Sequence, residues 1–168
     1  MQQPSDIAAA LAAFDGTHTA PLKAVARDDL SPAAVQALVD AVPGPQEIAA
    51  TWLIKALAEA GRLGAGTLVQ VFERLPNITA ADAALHILQC AQLAPDAAPL
   101  LRPHLSPYYG SKKILLRVWA FDAYCRGADP AEDLSERIKQ GLTDRSAAMR
   151  ARARALAREF GIDLENDP

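Results

Sequence analysis

Apolar residues recur along this chain with the 3.6-residue period of amphipathic helices, rather than with the two-residue period of strands. Six stripes keep that spacing: Ile7, Leu11 and Phe14; Val35, Leu38, Val39 and Val42; Leu68, Val71, Phe72 and Leu75; Ala81, Leu85 and Leu88; Leu134, Ile138 and Leu142; Met149, Ala153, Leu156 and Phe160. Runs of β-branched residues, which favour strands, are almost absent. The pattern therefore predicts an all-α protein.

The segment 114–126, ILLRVWAFDAYCR, departs from these stripes because apolar residues fall on nearly every side of the predicted helix. A helix that is apolar all round packs against neighbours on more than one face. We therefore expect this helix in the middle of the structure rather than at an edge.

Residues that begin and end helices recur between the stripes. Candidate N-caps are Ser31 before Pro32, Asp129 before Pro130, Thr79 in a capping box with Asp82, and Asp144. Expected helix stops are Gly61, Gly127, Gly141 and Gly161. These signals bound helices of ordinary length throughout the chain.

The predicted helices form pairs with a regular period. First helices begin near residues 31, 65, 96 and 131, and second helices begin near residues 45, 79, 110 and 145. Both series advance by 34, 31 and 35 residues. A period of this length built from helix–turn–helix units is typical of an α-solenoid, because one pair cannot bury its apolar face alone.

Two segments carry a resemblance to a known family. RSAAMRARARALAREFG (145–161) and KKILLRVWAFDAYCRG (112–127) resemble second helices of HEAT repeats, as in bacterial HEAT-repeat proteins. The resemblance covers residues 31–161. It implies a single armadillo-like domain: an all-α, α-α superhelix of about four HEAT-like helical pairs (31–62, 65–94, 95–127 and 130–161), with an N-terminal helical cap at 1–30 and an acidic tail at 163–168.

Composition narrows the class of protein. Of the 168 residues 51% are hydrophobic and 22% are charged, which argues against global disorder. The N-terminus has no basic region followed by an apolar core, and no stretch is long and apolar enough to span a membrane. We expect a cytoplasmic protein with two reduced cysteines, Cys90 and Cys125.

Charge is distributed unevenly. Residues 1–84 contain five basic and nine acidic residues, whereas residues 102–158 contain twelve basic and six acidic residues. Arg150, Arg154 and Arg158 share one helical face, and Lys113 and Arg117, with Lys112 beside them, lie on the preceding second helix. By the HEAT resemblance these six side chains can line an inner strip for an anionic partner. The alternative is a solvated face that pairs with nearby acids.

Two tyrosines, Tyr108 and Tyr109, fall in the predicted loop between the helices of the third pair. Tyrosine is enriched at interaction hot spots, so the pair is a candidate anchor for a partner. The alternative is that one ring packs under the loop while its hydroxyl stays in contact with water.

Candidate catalytic and metal-binding residues are few. Trp119 and Asp122 resemble the tryptophan–aspartate pair of bacterial alkylpurine DNA glycosylases with a HEAT-like fold, although the spacing is one residue shorter. The alternative is a core tryptophan and a surface aspartate paired with Arg126. His86 and Cys90 have the spacing of two metal ligands on one helix, but a zinc site needs further ligands.

The functional expectation follows mainly from the fold. We expect no cofactor, and no nucleophile or phosphate-binding motif is present in the sequence. The leading prediction is a non-enzymatic adaptor, monomeric, that binds a macromolecular partner through its second helices, most simply an acidic protein. Nucleic-acid binding by the basic C-terminal half, with or without chemistry on a base, is the alternative.

Overall fold

A computed structural model describes residues 1–163 of the chain. This part of the molecule is helical and contains no β-strand, which confirms the all-α prediction. The α-helices are α1 (Pro4–Ala12), α2 (Ala20–Arg27), α3 (Pro32–Asp40), α4 (Glu47–Glu59), α5 (Ala65–Phe72), α6 (Ala81–Gln89), α7 (Ser106–Tyr109), α8 (Ile114–Arg126), α9 (Ser135–Leu142) and α10 (Ala147–Phe160). Short 3₁₀ helices lie at Leu75–Asn77, Cys90–Leu93, Pro95–Leu100 and Arg102–His104.

The helices pack in an order that follows the chain. One row consists of α2, α4, α6, α8 and α10, and each of these helices packs on the next. In the other row α1 packs on α3, α3 on α5, and α5 on the 3₁₀ segment Pro95–Leu100. The predicted N-terminal cap therefore consists of two helices that join these rows as an additional pair. Of the predicted acidic tail, only Asp163 lies within the described residues.

Side-chain contacts between neighbouring helices of the α2 to α10 row join residues at similar separations along the chain. Thr51 contacts His86, 35 residues away, and Glu47 accepts hydrogen bonds from Thr79, 32 residues away. Arg126 donates to Glu159, 33 residues away. These separations lie within the range of 31–35 residues by which the predicted helix starts advance.

Helix α8 lies between the two apolar clusters of the core. Leu116, Ala120 and Ala123 belong to the larger cluster, which extends from α1 to α8. Val118, Phe121 and Cys125 belong to a smaller cluster, whose other members come from α9, the residue before it and α10: Leu134, Ile138, Met149, Ala153, Leu156 and Ala157. The prediction that this helix packs on more than one face is confirmed.

Some helix boundaries differ from the predictions. Ser31 caps α3 as expected, and Gly161 adopts the left-handed conformation after α10. The predicted start of a helix near residue 131 is wrong, because α9 begins at Ser135. Asp129 instead accepts a hydrogen bond from the amide of Ala131 in a local turn. The N-cap of α10 is Ser146 instead of Asp144.

The first helix of the third pair is 3₁₀ rather than α. Pro95, Pro99 and Pro103 fall within or beside its two short segments. Proline lacks the amide hydrogen that an α-helix needs and clashes with the preceding turn. The proline spacing therefore prevents a continuous α-helix at this position.

Glu47, a residue that is 3% exposed, joins the first predicted pair to the second through its carboxylate. The carboxylate accepts hydrogen bonds from the amides of Thr79 and Ala80 at 3.0 and 2.6 Å and from the Thr79 hydroxyl at 2.6 Å. The predicted Thr79 cap is therefore wrong, because Glu47 reaches across from α4 to cap α6. Burial raises the pKa of Glu47, but these hydrogen bonds outweigh burial and hold its pKa below the ordinary value.

The close approach of α8, α9 and α10 depends on Gly141. A β-carbon at this position would lie 2.8 Å from Cζ of Phe121 and 2.9 Å from the β-carbon of Ala153.

We expect Gly141→Ala to lower the free energy of unfolding by about 1–3 kcal/mol in urea denaturation, because the three helices must separate. The matched control is Gly66→Ala in α5, where the new methyl group meets no atom within 4 Å and should be neutral or stabilising. Equal effects of the two substitutions would contradict this packing.

Replacing Glu47 tests the contact between pairs. We expect Glu47→Gln to lower the free energy of unfolding by about 2 kcal/mol at pH 7, because an amide accepts these hydrogen bonds less well than a carboxylate. The folded-state pKa lies below the unfolded value of 4.5, so the carboxylate's contribution is complete above that value and is lost as the pH falls through the folded pKa. The difference between wild type and variant should therefore shrink on acidification.

The control for this comparison is Glu73→Gln, since Glu73 is exposed. That substitution should change the free energy of unfolding by less than about 0.5 kcal/mol. A difference between wild type and Glu47→Gln that stays constant from pH 7 to pH 3 would contradict the assignment.

Candidate functional site

Half of the predicted basic strip is paired within the protein. Lys113 pairs with Asp82, and Arg117 lies 3.2 Å from a carboxylate oxygen of Asp144. Arg150 donates from Nη1 to the backbone carbonyls of Asp144 and Arg145, at 2.8 and 2.9 Å. These three cations stabilise contacts between helices or at helix ends, as the solvated-face alternative expects.

Lys112, Arg154 and Arg158 are exposed and form no hydrogen bond or ion pair within residues 1–163. Arg152 contacts Asp122 of α8. Arg154 follows it by two positions, and side chains separated by two positions on a helix differ in direction by about 200°. The stripe of Arg150, Arg154 and Arg158 therefore lies on the side of α10 away from α8. The six basic residues do not form one continuous strip.

The second helices instead expose a mixed apolar and aromatic surface. We use the name second-helix surface for Trp52 on α4, His86 on α6, and Leu115 and Trp119 on α8. Leu115 is 49% exposed, and the other three side chains are partly buried. The Thr51–His86 contact, at 3.0 Å, joins α4 to α6, and the Lys113–Asp82 pair joins α6 to the start of α8.

A buried ionic cluster joins α8 to α10. The Asp122 carboxylate is fully buried, and its oxygens lie 2.8 Å from Nε of Arg126 and 2.7 Å from Nε of Arg152. Arg126 also donates two hydrogen bonds to the carboxylate of Glu159, at 2.7 and 2.8 Å. Burial raises the pKa of Asp122, and the two guanidinium groups oppose that shift.

Trp119 belongs to the same cluster, because the guanidinium carbon of Arg152 lies 4.0 Å from the centre of its ring. The expected pairing of Asp122 with Arg126 is confirmed, but the expected surface position of Asp122 is wrong. Arg152 covers the carboxylate, so Asp122 offers no exposed carboxylate to a base stacked on Trp119. The arrangement fits a structural clamp between two helices better than the catalytic pair of a glycosylase.

Tyr108 and Tyr109 occupy the one-turn helix α7 rather than a loop. Tyr108 packs against the larger apolar cluster, and burial raises the pKa of its hydroxyl. Tyr109 is 37% exposed, and its ring meets that of Tyr124 edge-on, with centroids 6.4 Å apart. The two neighbouring tyrosines therefore have different surroundings.

A pocket of about 280 Å³ is lined by two of the predicted partner-binding residues and by one residue that the sequence does not single out. Tyr109 and Arg117 line it together with Arg137 of α9. The guanidinium carbon of Arg137 lies 5.3 Å from the ring centre of Tyr109 and 4.9 Å from that of Tyr124. Arg137 and Gln140 are three residues apart, a spacing of polar residues that is common on exposed helix faces. The sequence therefore gives no sign that Arg137 lies against aromatic rings.

His86 lies on α6, whereas Cys90 begins the 3₁₀ helix that follows it, and charges on Lys55 and Glu59 act on both side chains. Burial, with the nearby charge of Lys55, lowers the pKa of His86 to about 4, so its ring is neutral at pH 7. Burial raises the pKa of Cys90 to about 12, so its thiol stays protonated. Among residues 1–163, no group of three or more histidine, cysteine, aspartate or glutamate side chains is arranged to hold a metal ion.

Comparisons with known proteins add no relative. No family model, curated protein or solved structure matches this chain. Each helix within residues 1–163 is too short or too polar to cross a membrane.

The buried cluster can be tested by removing its central charge. We expect Asp122→Asn to lower the free energy of unfolding by about 3–5 kcal/mol, because Arg126 and Arg152 lose their shared buried counter-ion. Urea denaturation measures this change. Asp96→Asn is the control, since Asp96 is exposed and should tolerate the change within about 0.5 kcal/mol. Equal stability of the two variants would contradict the clamp.

Proposed function

We propose that this protein is a non-enzymatic interaction module, built as a HEAT-like α-α superhelix, which binds a protein partner through the second-helix surface. The proposal includes a monomeric protein in the cytoplasm. Two buried, free thiols at Cys90 and Cys125 are in keeping with a reducing compartment. The succession of contacts along the α2 to α10 row supports the superhelix, because stacked pairs build extended surfaces of this kind.

The observation that carries the proposal is the exposure of large apolar side chains on two second helices, α8 and α4. Leu115 is 49% exposed, beside a partly exposed Trp119 one turn along α8. Trp52 is partly exposed on α4, two helices away in the same row. Tryptophan is enriched among the residues that dominate binding energy, and exposed apolar groups gain most from being covered by a partner.

Charge around this surface favours an acidic partner. Lys112 precedes α8, and its ammonium group has no counter-ion within the described residues. Unpaired cations at the edge of an interface accelerate association with negatively charged partners and add to specificity. The apolar side chains then supply most of the affinity.

Nucleic-acid binding is a second candidate because Arg154 and Arg158 are exposed and unpaired on one face of α10. Phosphate-driven binding weakens steeply with salt, whereas binding through apolar contacts does not. Arg154→Glu combined with Arg158→Glu tests this face. Arg150 is left unchanged because it donates to backbone carbonyls.

The protein–protein proposal is tested by substitution on the second-helix surface. Wild type, Leu115→Asp and Leu100→Asp are compared for capture of partners from lysate of the source cells, with captured proteins identified by mass spectrometry. Leu100 is 39% exposed on the opposite row, in the 3₁₀ segment, so it is the matched control. We expect a partner that is retained by wild type and Leu100→Asp at high salt, and retained at least tenfold less by Leu115→Asp.

Circular dichroism melting establishes that both variants fold. A partner that binds Leu115→Asp as well as wild type would place the interface elsewhere. Recovery of nucleic acid only at low salt, lost in the Arg154→Glu and Arg158→Glu variant, would favour the second candidate.

A further inference from the structure

The pocket between α7, α8 and α9 contains two arginines that approach from different helices. It has a volume of about 280 Å³ and is lined by Tyr109, Arg117, Phe121, Arg137, Gln140, Gly141, Asp144 and Met149. Tyr109 and Gln140 are exposed, so the pocket is open to solvent. None of its residues belongs to the second-helix surface.

Arg137 carries a charge without a counter-ion. Its guanidinium carbon lies within 6 Å of three ring centres, at 4.9 Å from Tyr124, 5.3 Å from Tyr109 and 5.8 Å from Phe121. Its Nε is buried and has no hydrogen-bond partner, and it forms no ion pair within residues 1–163. The rings attract the cation through their faces but supply no acceptor for its N–H groups.

The hydrogen bond that Arg137 does make is weak. Its Nη1 donates to the side-chain oxygen of Gln140 over 3.4 Å, at an exposed position. A partly desolvated guanidinium with unused donors carries a free-energy cost that a bound anion would relieve. The aromatic rings also limit the side chain to few orientations, so little conformational freedom remains to be lost on binding.

Arg117 of α8 also lines the pocket and supplies a second cation. Its Nη2 lies 3.3 and 3.2 Å from the two oxygens of Asp144, and Asp144 also accepts a hydrogen bond from the amide of Ser146 at 2.7 Å. The Asp144 carboxylate is thus shared between a guanidinium and a backbone amide. Two guanidinium groups and one carboxylate leave the pocket with a net positive charge.

We infer that this pocket binds a phosphoryl group, either of free phosphate or of a small phosphate ester. Guanidinium groups match phosphate oxygens through pairs of N–H donors. Because Arg117 and Arg137 lie on different helices, they can contact different oxygens of a tetrahedral anion, whereas a planar carboxylate has only two oxygens to share. Phe121 and Met149 provide apolar walls for the organic part of an ester.

Binding is measured by calorimetry at constant ionic strength with three probes: inorganic phosphate, phenyl phosphate and acetate. We expect both phosphates to bind the wild-type protein, and acetate to bind at least tenfold more weakly. Arg137→Met keeps an unbranched side chain that can still contact the rings, but it is shorter than arginine and lacks the guanidinium group and its charge. It should weaken phosphate binding roughly tenfold or more, because charge-assisted hydrogen bonds are lost. Arg27→Met removes an exposed arginine of α2, outside the pocket, and should leave binding unchanged.

A second measurement uses the wild-type protein alone, so it does not depend on the variant folding. In ¹⁵N correlation spectra, the Nε–H signal of Arg137 should shift with phosphate concentration and saturate. No shift of that signal, equal loss of binding in Arg27→Met, or acetate binding as tight as phosphate would each overturn the inference. Tighter binding of phenyl phosphate than of inorganic phosphate would identify an ester as the preferred source of the phosphoryl group.

This inference does not rest on the proposed partner interface. Arg137→Met leaves Leu115 and Trp52 unchanged, and Leu115→Asp leaves the pocket unchanged. Loss of partner capture with intact phosphate binding, or the reverse, would therefore separate the two proposals.

Discussion

The structure depends on the burial of each helical pair against its neighbours. No short amphipathic pair covers its own apolar face, so the second helices must stack in sequence from α2 to α10. Helix α8 shows most clearly that each helix needs its neighbours. Its residues belong to both apolar clusters, and almost no side of the helix is purely polar. The alanines and glycines near it, such as Gly141, allow the helices to approach closely enough to close the core.

Buried polar groups fix the register of this stack. Apolar contacts alone tolerate sliding of one helix along another, whereas hydrogen bonds are directional. Glu47 caps α6 from the preceding pair. At the other end of the chain Arg126 of α8 donates two hydrogen bonds to Glu159 of α10 while it also pairs with Asp122. Glu47 and Asp122 are both deeply buried, so misalignment would leave a charge without partners. The same clamp that aligns α10 also places Arg152 against Trp119 at the edge of the second-helix surface.

The periodic features of this fold follow from the sequence, and the exceptions arise from long-range contacts. Helical spacing predicts the all-α class, and the all-round apolar character of 114–126 predicts the central position of α8. The depth of Asp122 was not predictable from its i, i+4 spacing to Arg126, because its burial depends on Arg152, 30 residues later. Arg137 was likewise missed, since the rings around it come from α7 and α8. The start of α9 was misplaced because the local turn at Asp129 resembles an N-cap.

The stacking of successive pairs is tested most directly by native-state hydrogen exchange across the whole chain. If each pair depends on its neighbours, amides in α4, α6 and α8 should be the most protected, and protection should fall toward α1 and α2 at one end and toward α9 and α10 at the other. Strong protection confined to one end of the chain, with α8 exchanging as fast as exposed segments, would contradict a continuous array centred on these helices.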